Sequence, residues 1–185
     1  MKKTKPGSTV LFPVPAVLVS CGVEKPNIIS IAWVGVVSSA PPAVSIGVRP
    51  ERFSHGLIAD AGEFVINLPR ADQVRIVDYC GNVSGRNVDK WAACGLTAAP
   101  ANKVRTPLIA ECPVALECRV MHHLPLGAHD LFVGEVLSVQ VDEDVLDAHG
   151  RLDHSLVDPL AYLGGFYWRM GEELGRHGDW RAGIG

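Results

Sequence analysis

Arg49, Arg52, Ser54 and His55 follow directly on an apolar run, within the stretch "RPERFSHGLI". Two guanidiniums offer charge-assisted, bidentate donors that match the oxygens of a phosphate. Ser54 stands where a short helix is expected to begin, and a helix N-terminus adds free N–H donors and partial positive charge. The chemistry this predicts is anion binding. The competing reading is two surface arginines pairing with Glu51, Asp60 or Glu63.

A second polar loop, "SGRNVDK" (84–90), offers Ser84, Arg86, Asp89 and Lys90 around a glycine. Its bland alternative is a solvated loop before a short helix. In "SIAWVGVVSS" (30–39), Gly35 inside an apolar strand signals close approach of another backbone or a flat ligand. Trp33 beside it is either core or a stacking surface. His129 opens a strand next to Asp130, where an imidazole donates to a ligand, moves a proton, or merely bonds its neighbour. His122 and His123 are adjacent on a strand, point to opposite faces and make a poor metal pair. Cys112 and Cys118, six apart, are expected to be buried small hydrophobes on one strand face. The acids at 142, 144 and 147 lack calcium-loop spacing, so no metal site is expected. Walker A, Rossmann, HExxH and GxSxG patterns are absent, and no nucleophile–base pair stands out. Hard chemistry, if any, is expected to be a cofactor's.

These residues must be positioned by a mainly β framework. Strands are predicted over 15–23, 28–38, 43–49, 63–68, 114–122 and 129–142, all rich in Val, Ile, Leu and aromatics between Pro, Gly or Asn. The second and third are apolar at nearly every position, so both faces should be covered. They are joined through Ser38-Ser39-Ala40-Pro41-Pro42. Short helices are predicted in "SHGLIADAG", N-capped by Ser54 and stopped by Gly62, in "ADQVRIVDYCG", and in "NVDKWAACG". Pro100 and Pro107 mark a linker before the second set of strands. Strands outnumber helices without regular alternation, which excludes a doubly wound sheet and favours an antiparallel barrel with helices attached.

The 185 residues fit one domain, 1–185. A net charge of −3 gives no long-range pull on nucleic acid or anionic lipid, so any anion must be held locally. No apolar stretch reaches the ~20 residues of a membrane span. Five cysteines without a CxxC suggest reduced thiols in a cytoplasm. Pro13 and Pro15 interrupt the first apolar run, which favours a first strand over a leader peptide.

Residues 27–69, "NIISIAWVGVVSSAPPAVSIGVRPERFSHGLIADAGEFVINLP", resemble the flavin reductase-like, FMN-binding split-barrel proteins, and among them the flavoredoxin-like branch. "DYCGNVSGRNVDK", "AECPVALECRV" and "HDLFVGEVLSVQVDED" are similar to that branch in the same order. The resemblance covers about residues 10–170, leaving 171–185 as a C-terminal tail without counterpart. It implies a Greek-key antiparallel split β-barrel that forms a homodimer, with FMN near the interface.

The resemblance also implies roles. Ser30, Ile31, Ala32, Trp33, Val34 and Gly35 would run along the isoalloxazine and ribityl chain, with Ser38 and Ser39 bordering the groove. Arg49, Arg52, Ser54 and His55 would hold the phosphate. Ser84, Arg86, Asp89 and Lys90 would come from the second polar loop, and Tyr162 and Tyr167 would close the site, in part from a partner subunit. His129 would face the flavin where a nicotinamide stacks. The implied activity is NAD(P)H-dependent flavin reduction. The alternative is an FMN electron-transfer protein without its own nicotinamide site, docking a redox protein partner.

Overall fold

The computed structural model describes residues 1–178. Strands β1 (Val14–Pro15), β2 (Val17–Cys21), β3 (Asn27–Ile31), β4 (Val34–Ser39) and β5 (Pro42–Val48) come first. Helix α1 (Phe53–Ala61), β6 (Glu63–Leu68), α2 (Val74–Asn82) and α3 (Lys90–Cys94) follow. Then come β7 (Ala98–Ala99), β8 (Leu108–Ile109), β9 (Val114–Pro125), β10 (Asp130–Val141), α4 (His154–Val157), β11 (Leu160–Leu163) and β12 (Phe166–Arg169). The predicted tail 171–185 is exposed up to residue 177, and residues 179–185 lie outside the described residues.

Seven strands form one antiparallel sheet in the order β3-β2-β6-β9-β10-β5-β4. Its two outermost strands are consecutive in the chain and separated only by Ala32 and Trp33. Ile31 and Val34 are three Cα steps apart and so at most about 11 Å, so the sheet must curl until its edges nearly meet. The edges do not pair along their length; Gly47 N donates to the Trp33 carbonyl at 2.8 Å, which extends the β4–β5 ladder up to the break. This is a split barrel, and the split is where the site forms.

The predicted strand 28–38 is therefore two strands on opposite edges. Its apolar run hides the break because both halves are hydrophobic. The expectation that both faces are covered holds for most of β3 and of β5, and β2 is likewise buried throughout. Val17, Val19, Cys21, Ile29 and Ile31 face the barrel interior with Ile46, Phe64 and Phe132. Leu18 and Ile28 face outward into a second layer with Val77, Cys80, Trp91 and Cys112 under α2 and α3. It fails for β4, where Val36 and Val37 are 81% and 53% exposed.

The N-cap position of helix α1 is Arg52 rather than Ser54, which lies inside the helix, buried, and accepts from Asn27 Nδ2 at 2.8 Å. Gly62 ends it at φ 67° as predicted. Helix α2 is preceded by a 3-10 turn over Ala71–Gln73 and runs to Asn82. Cys118 faces the barrel interior and Cys112 the outer layer, so they share no face. The small sheet β1-β11-β12 was not foreseen; it packs Tyr162 and Tyr167 against the outer layer.

Candidate functional site

The split opens into a cavity of about 440 Å³. Ser30, Ile31, Ala32 and Trp33 line it from the break between β3 and β4, and Gly47, Val48 and Arg49 from the end of β5. Val77, Asp78, Gly81 and Asn82 of α2 form the facing wall, and His129, Tyr162 and Tyr167 the rim. A smaller cavity of about 300 Å³ adjoins it, lined by Asn27, Ser54, Cys80, Ser84, Gly85, Arg86 and Lys90. Arg52 and Ile29 belong to both.

The walls are fixed by short polar links. Ser30 Oγ donates to the Val77 carbonyl, tying β3 to α2. Gly81 sits against Ser30, and a Cβ there would come within 3.4 Å of the serine Cβ. The Trp33 and His129 rings meet edge to face at 4.1 Å. Partial burial, then the nearby Arg49 charge, lower the His129 pKa below its ordinary value, which favours the neutral ring. Tyr167 Oη donates to Asp78 Oδ1 at 3.4 Å, and burial together with the Asp78 charge pushes that phenol up to about 12.

The smaller cavity is cationic. Arg86 lies over the Phe53 ring at 5.6 Å and donates to the Glu51 carbonyl at 3.0 Å. Arg49, on the wall of the larger cavity, meets Glu51 at 3.6 Å with half of its side chain exposed. The N-terminus of α1 has no side-chain cap. Among the described residues the Arg52 guanidinium makes no hydrogen bond or ion pair.

Three predicted contributors have other duties. Lys90 is buried and donates to the carbonyls of Ile28 and Cys80, both at 2.8 Å, so its ammonium braces the wall from behind. Burial lowers its pKa. Asp89 caps α3, accepting from the N–H groups of Trp91 and Ala92. His55 turns away from the arginines: its Nε2 lies 2.8 Å from Asp130 Oδ2, which His123 Nε2 approaches at 2.7 Å. Those two contacts hold the Asp130 carboxyl below its ordinary range, His123 contributing the larger part.

The three ligand atoms of His55, His123 and Asp130 lie within 4.8 Å of one another, a cluster the sequence did not suggest. Val34, Gly35, Ser38 and Ser39 run along β4 outside both linings, and Ser38 Oγ accepts from Ala40 N in the turn. The structure therefore brings together Ser30, Ile31, Ala32, Trp33, Arg49, Arg52, His129, Tyr162 and Tyr167 in one cavity. Ser54, Ser84, Arg86 and Lys90 gather in the other.

Asp78, Gly81 and Asn82 escaped the sequence reading. Their i, i+3, i+4 spacing marks one helix face, but polar residues there read equally as a solvated surface. Gly85, the glycine of the second polar loop, is also closely packed. A Cβ at Gly85 would lie 2.1 Å from Asn27 Oδ1. Gly85→Ala is thus expected to displace Asn27 from Ser54 and to destabilise the protein by about 1–3 kcal/mol. Thermal denaturation checks this; an unchanged midpoint would show that the loop yields freely.

Residues 9–170 match the family described as "Flavin reductase like domain". An uncharacterised protein of Archaeoglobus fulgidus is 35% identical over 147 residues, 80% of this chain and 83% of that protein. Flavoredoxin of Desulfovibrio vulgaris (Miyazaki F) superposes with a TM-score of 0.88 at 34% identity, covering 95% of this chain and 97% of its own. A Thermus thermophilus FMN-binding protein does so at 0.79 and 30% identity, covering 96% and 97%. With a split barrel whose gap opens on a cavity lined by Arg49 and Arg52, and a match along most of its length, this chain belongs to the flavin reductase-like family.

Proposed function

We propose that this chain binds FMN across the two joined cavities and acts as an oxidoreductase that draws electrons from NAD(P)H. The observation that carries the reading is Arg52, which lies on both cavity walls without a protein partner among the described residues. On one side of it Ile29, Ile31, Trp33, Val48 and Val77 give apolar walls suited to a flat ring. On the other, Arg86, the Ser84 hydroxyl and the uncapped start of α1 suit a phosphate. A ring system joined to one phosphate fits this pairing. The similarity to the Thermus FMN-binding protein supports it. Bound FMN would supply the redox chemistry, taking a hydride from a reduced nicotinamide and passing electrons to an acceptor.

The chain's own residues would hold and orient. Neutral His129, against Trp33 at the rim, would offer a nicotinamide an uncharged edge and a hydrogen-bonding nitrogen. The similarity to flavoredoxin favours a second reading, an electron carrier that docks a redox protein. Purified protein with a flavin-type visible spectrum, bleached anaerobically by NADH or NADPH, supports the first reading. Bleaching by dithionite alone supports the second, and a colourless protein that takes up no FMN overturns both.

His129→Ala is expected to leave FMN affinity and dithionite reduction unchanged. It should slow reduction by NAD(P)H about tenfold or more, because a misplaced hydride donor is costly. Anaerobic stopped-flow reduction checks this, and an unaltered NAD(P)H rate removes His129 from the reaction.

We further propose that the chain works as a homodimer in a reducing cytoplasm. Exposed Val36 and Val37 on the edge strand β4, with Leu124, Leu126, Phe166 and Trp168, offer apolar area to a second copy. Five free cysteines fit the compartment. No helix among the described residues is long and apolar enough to cross a membrane.

A further inference from the structure

Two cysteines stand beside the site without a part in the function proposed above. Cys80 lies near the end of α2, is buried, and lines the smaller cavity. Cys94 is the last residue of α3 and is only partly buried. Their sulfurs are 3.9 Å apart. The two helices are already tied together, since Lys90 of α3 donates to the Cys80 carbonyl. A disulfide needs its sulfurs at about 2.05 Å, so side-chain rotation at Cys94, where α3 ends at Gly95, has to close the remaining gap.

We propose that Cys80 and Cys94 are a reversible dithiol–disulfide pair, oxidised by small-molecule disulfides of the glutathione class. Their closure would staple the cationic loop between α2 and α3. That loop carries Ser84, Gly85 and Arg86, so the bond would fix the wall of the smaller cavity.

The exchange runs in two steps. The Cys94 thiolate attacks one sulfur of the external disulfide. That S–S bond breaks, one external thiolate leaves and takes up the proton Cys94 had released, and a mixed disulfide remains on Cys94. The Cys80 sulfur then attacks the Cys94 sulfur. The second external thiol departs with the proton of Cys80. Two protein thiols are oxidised and one external disulfide is reduced.

The division of labour follows from access. Cys94 is reachable from solvent, whereas burial pushes the Cys80 thiol up to about 12, which disfavours attack on an external disulfide and leaves Cys80 the intramolecular step, where the 3.9 Å proximity of the sulfurs offsets its scarce thiolate. Cys112 occupies the same apolar layer as Cys80 and is buried, so it competes from the side away from solvent. The pair does not depend on the flavin assignment.

The test equilibrates the full chain in graded mixtures of reduced and oxidised glutathione. Thiols are counted after denaturing quench, and unreduced peptides are mapped by mass spectrometry. Two of the five thiols are expected to disappear together, with a Cys80–Cys94 cross-linked peptide, and to return with dithiothreitol. The paired loss should vanish in Cys94→Ser, whose circular dichroism should match wild type. Trypsin should cut after exposed Arg86 more slowly in the oxidised form. Five persistent thiols, a Cys80–Cys112 peptide, or a mixed disulfide on Cys94 that never resolves would each overturn the pairing. Unchanged cleavage after Arg86 would overturn the staple.

Discussion

Replacing Arg49 and Arg52 together with alanine is expected to weaken FMN on the order of a hundredfold while leaving riboflavin nearly unaffected. Each charge-assisted hydrogen bond is worth roughly 1.5–3 kcal/mol, and two lost bonds reach that range. Both side chains are free to serve. Arg49 holds only a half-exposed pair with Glu51 at 3.6 Å, which screening leaves weak and exchangeable. Arg52 has no protein partner to give up among the described residues. Neither side chain belongs to a buried core cluster, so the variant should fold normally. Calorimetric titration of both ligands separates the cases. Equal losses for FMN and riboflavin would show that the guanidiniums serve the ring rather than the phosphate. No loss for either would remove them from the site.

That these arginines lie on a cavity wall was legible in the sequence because charge interrupts an apolar pattern there, and the competing reading holds for Arg49, which does meet Glu51 at 3.6 Å. The barrel was legible too, since strands outnumber helices without alternation. What stayed hidden was direction. His55 adjoins Ser54 in sequence, yet successive helical residues point about 100° apart, and the turn aims its ring at Asp130 instead of the cavity. Lys90 and Asp89 were grouped with Arg86 by composition, but two of the three ammonium donors of Lys90 go to carbonyls and the Asp89 carboxylate is spent on a helix cap. The Ala32–Trp33 break was invisible because hydrophobic residues continue straight through it. It matters most, since it sends β4 to the far edge of the sheet and opens the gap that the cavity fills. Asp78 entered from a helix whose polar face gave no sign of looking inward.

Glu117→Ala is expected to destabilise the fold by about 1–3 kcal/mol without altering ligand affinity in the folded protein, because it empties a buried acceptor site that lines neither cavity. Glu117 lies on β9 with no exposed surface. Its Oε1 accepts from Asn102 N at 3.0 Å and Gln140 Nε2 at 2.8 Å. Its Oε2 accepts from the N–H groups of Lys103 and Val104. One carboxylate thus organises the loop that leads into β8, and alanine would leave these donors without it. The charge itself matters. Burial alone would raise the Glu117 pKa, but Gln140 and the three backbone donors outweigh it and bring the value below its ordinary 4.5. A lowered folded-state pKa means stability that is fully present above the ordinary value and is lost as pH falls through the lower one. Glu117→Gln keeps the size but turns an NH₂ toward N–H donors, so it should also melt lower than wild type near neutrality. The difference should narrow as pH falls below about 4.5 and through the lowered value, because wild type loses the same charge there. Thermal melts of the two proteins across that range supply the check. A gap that stays constant would mean that shape, rather than ionisation, makes Glu117 the anchor of this loop.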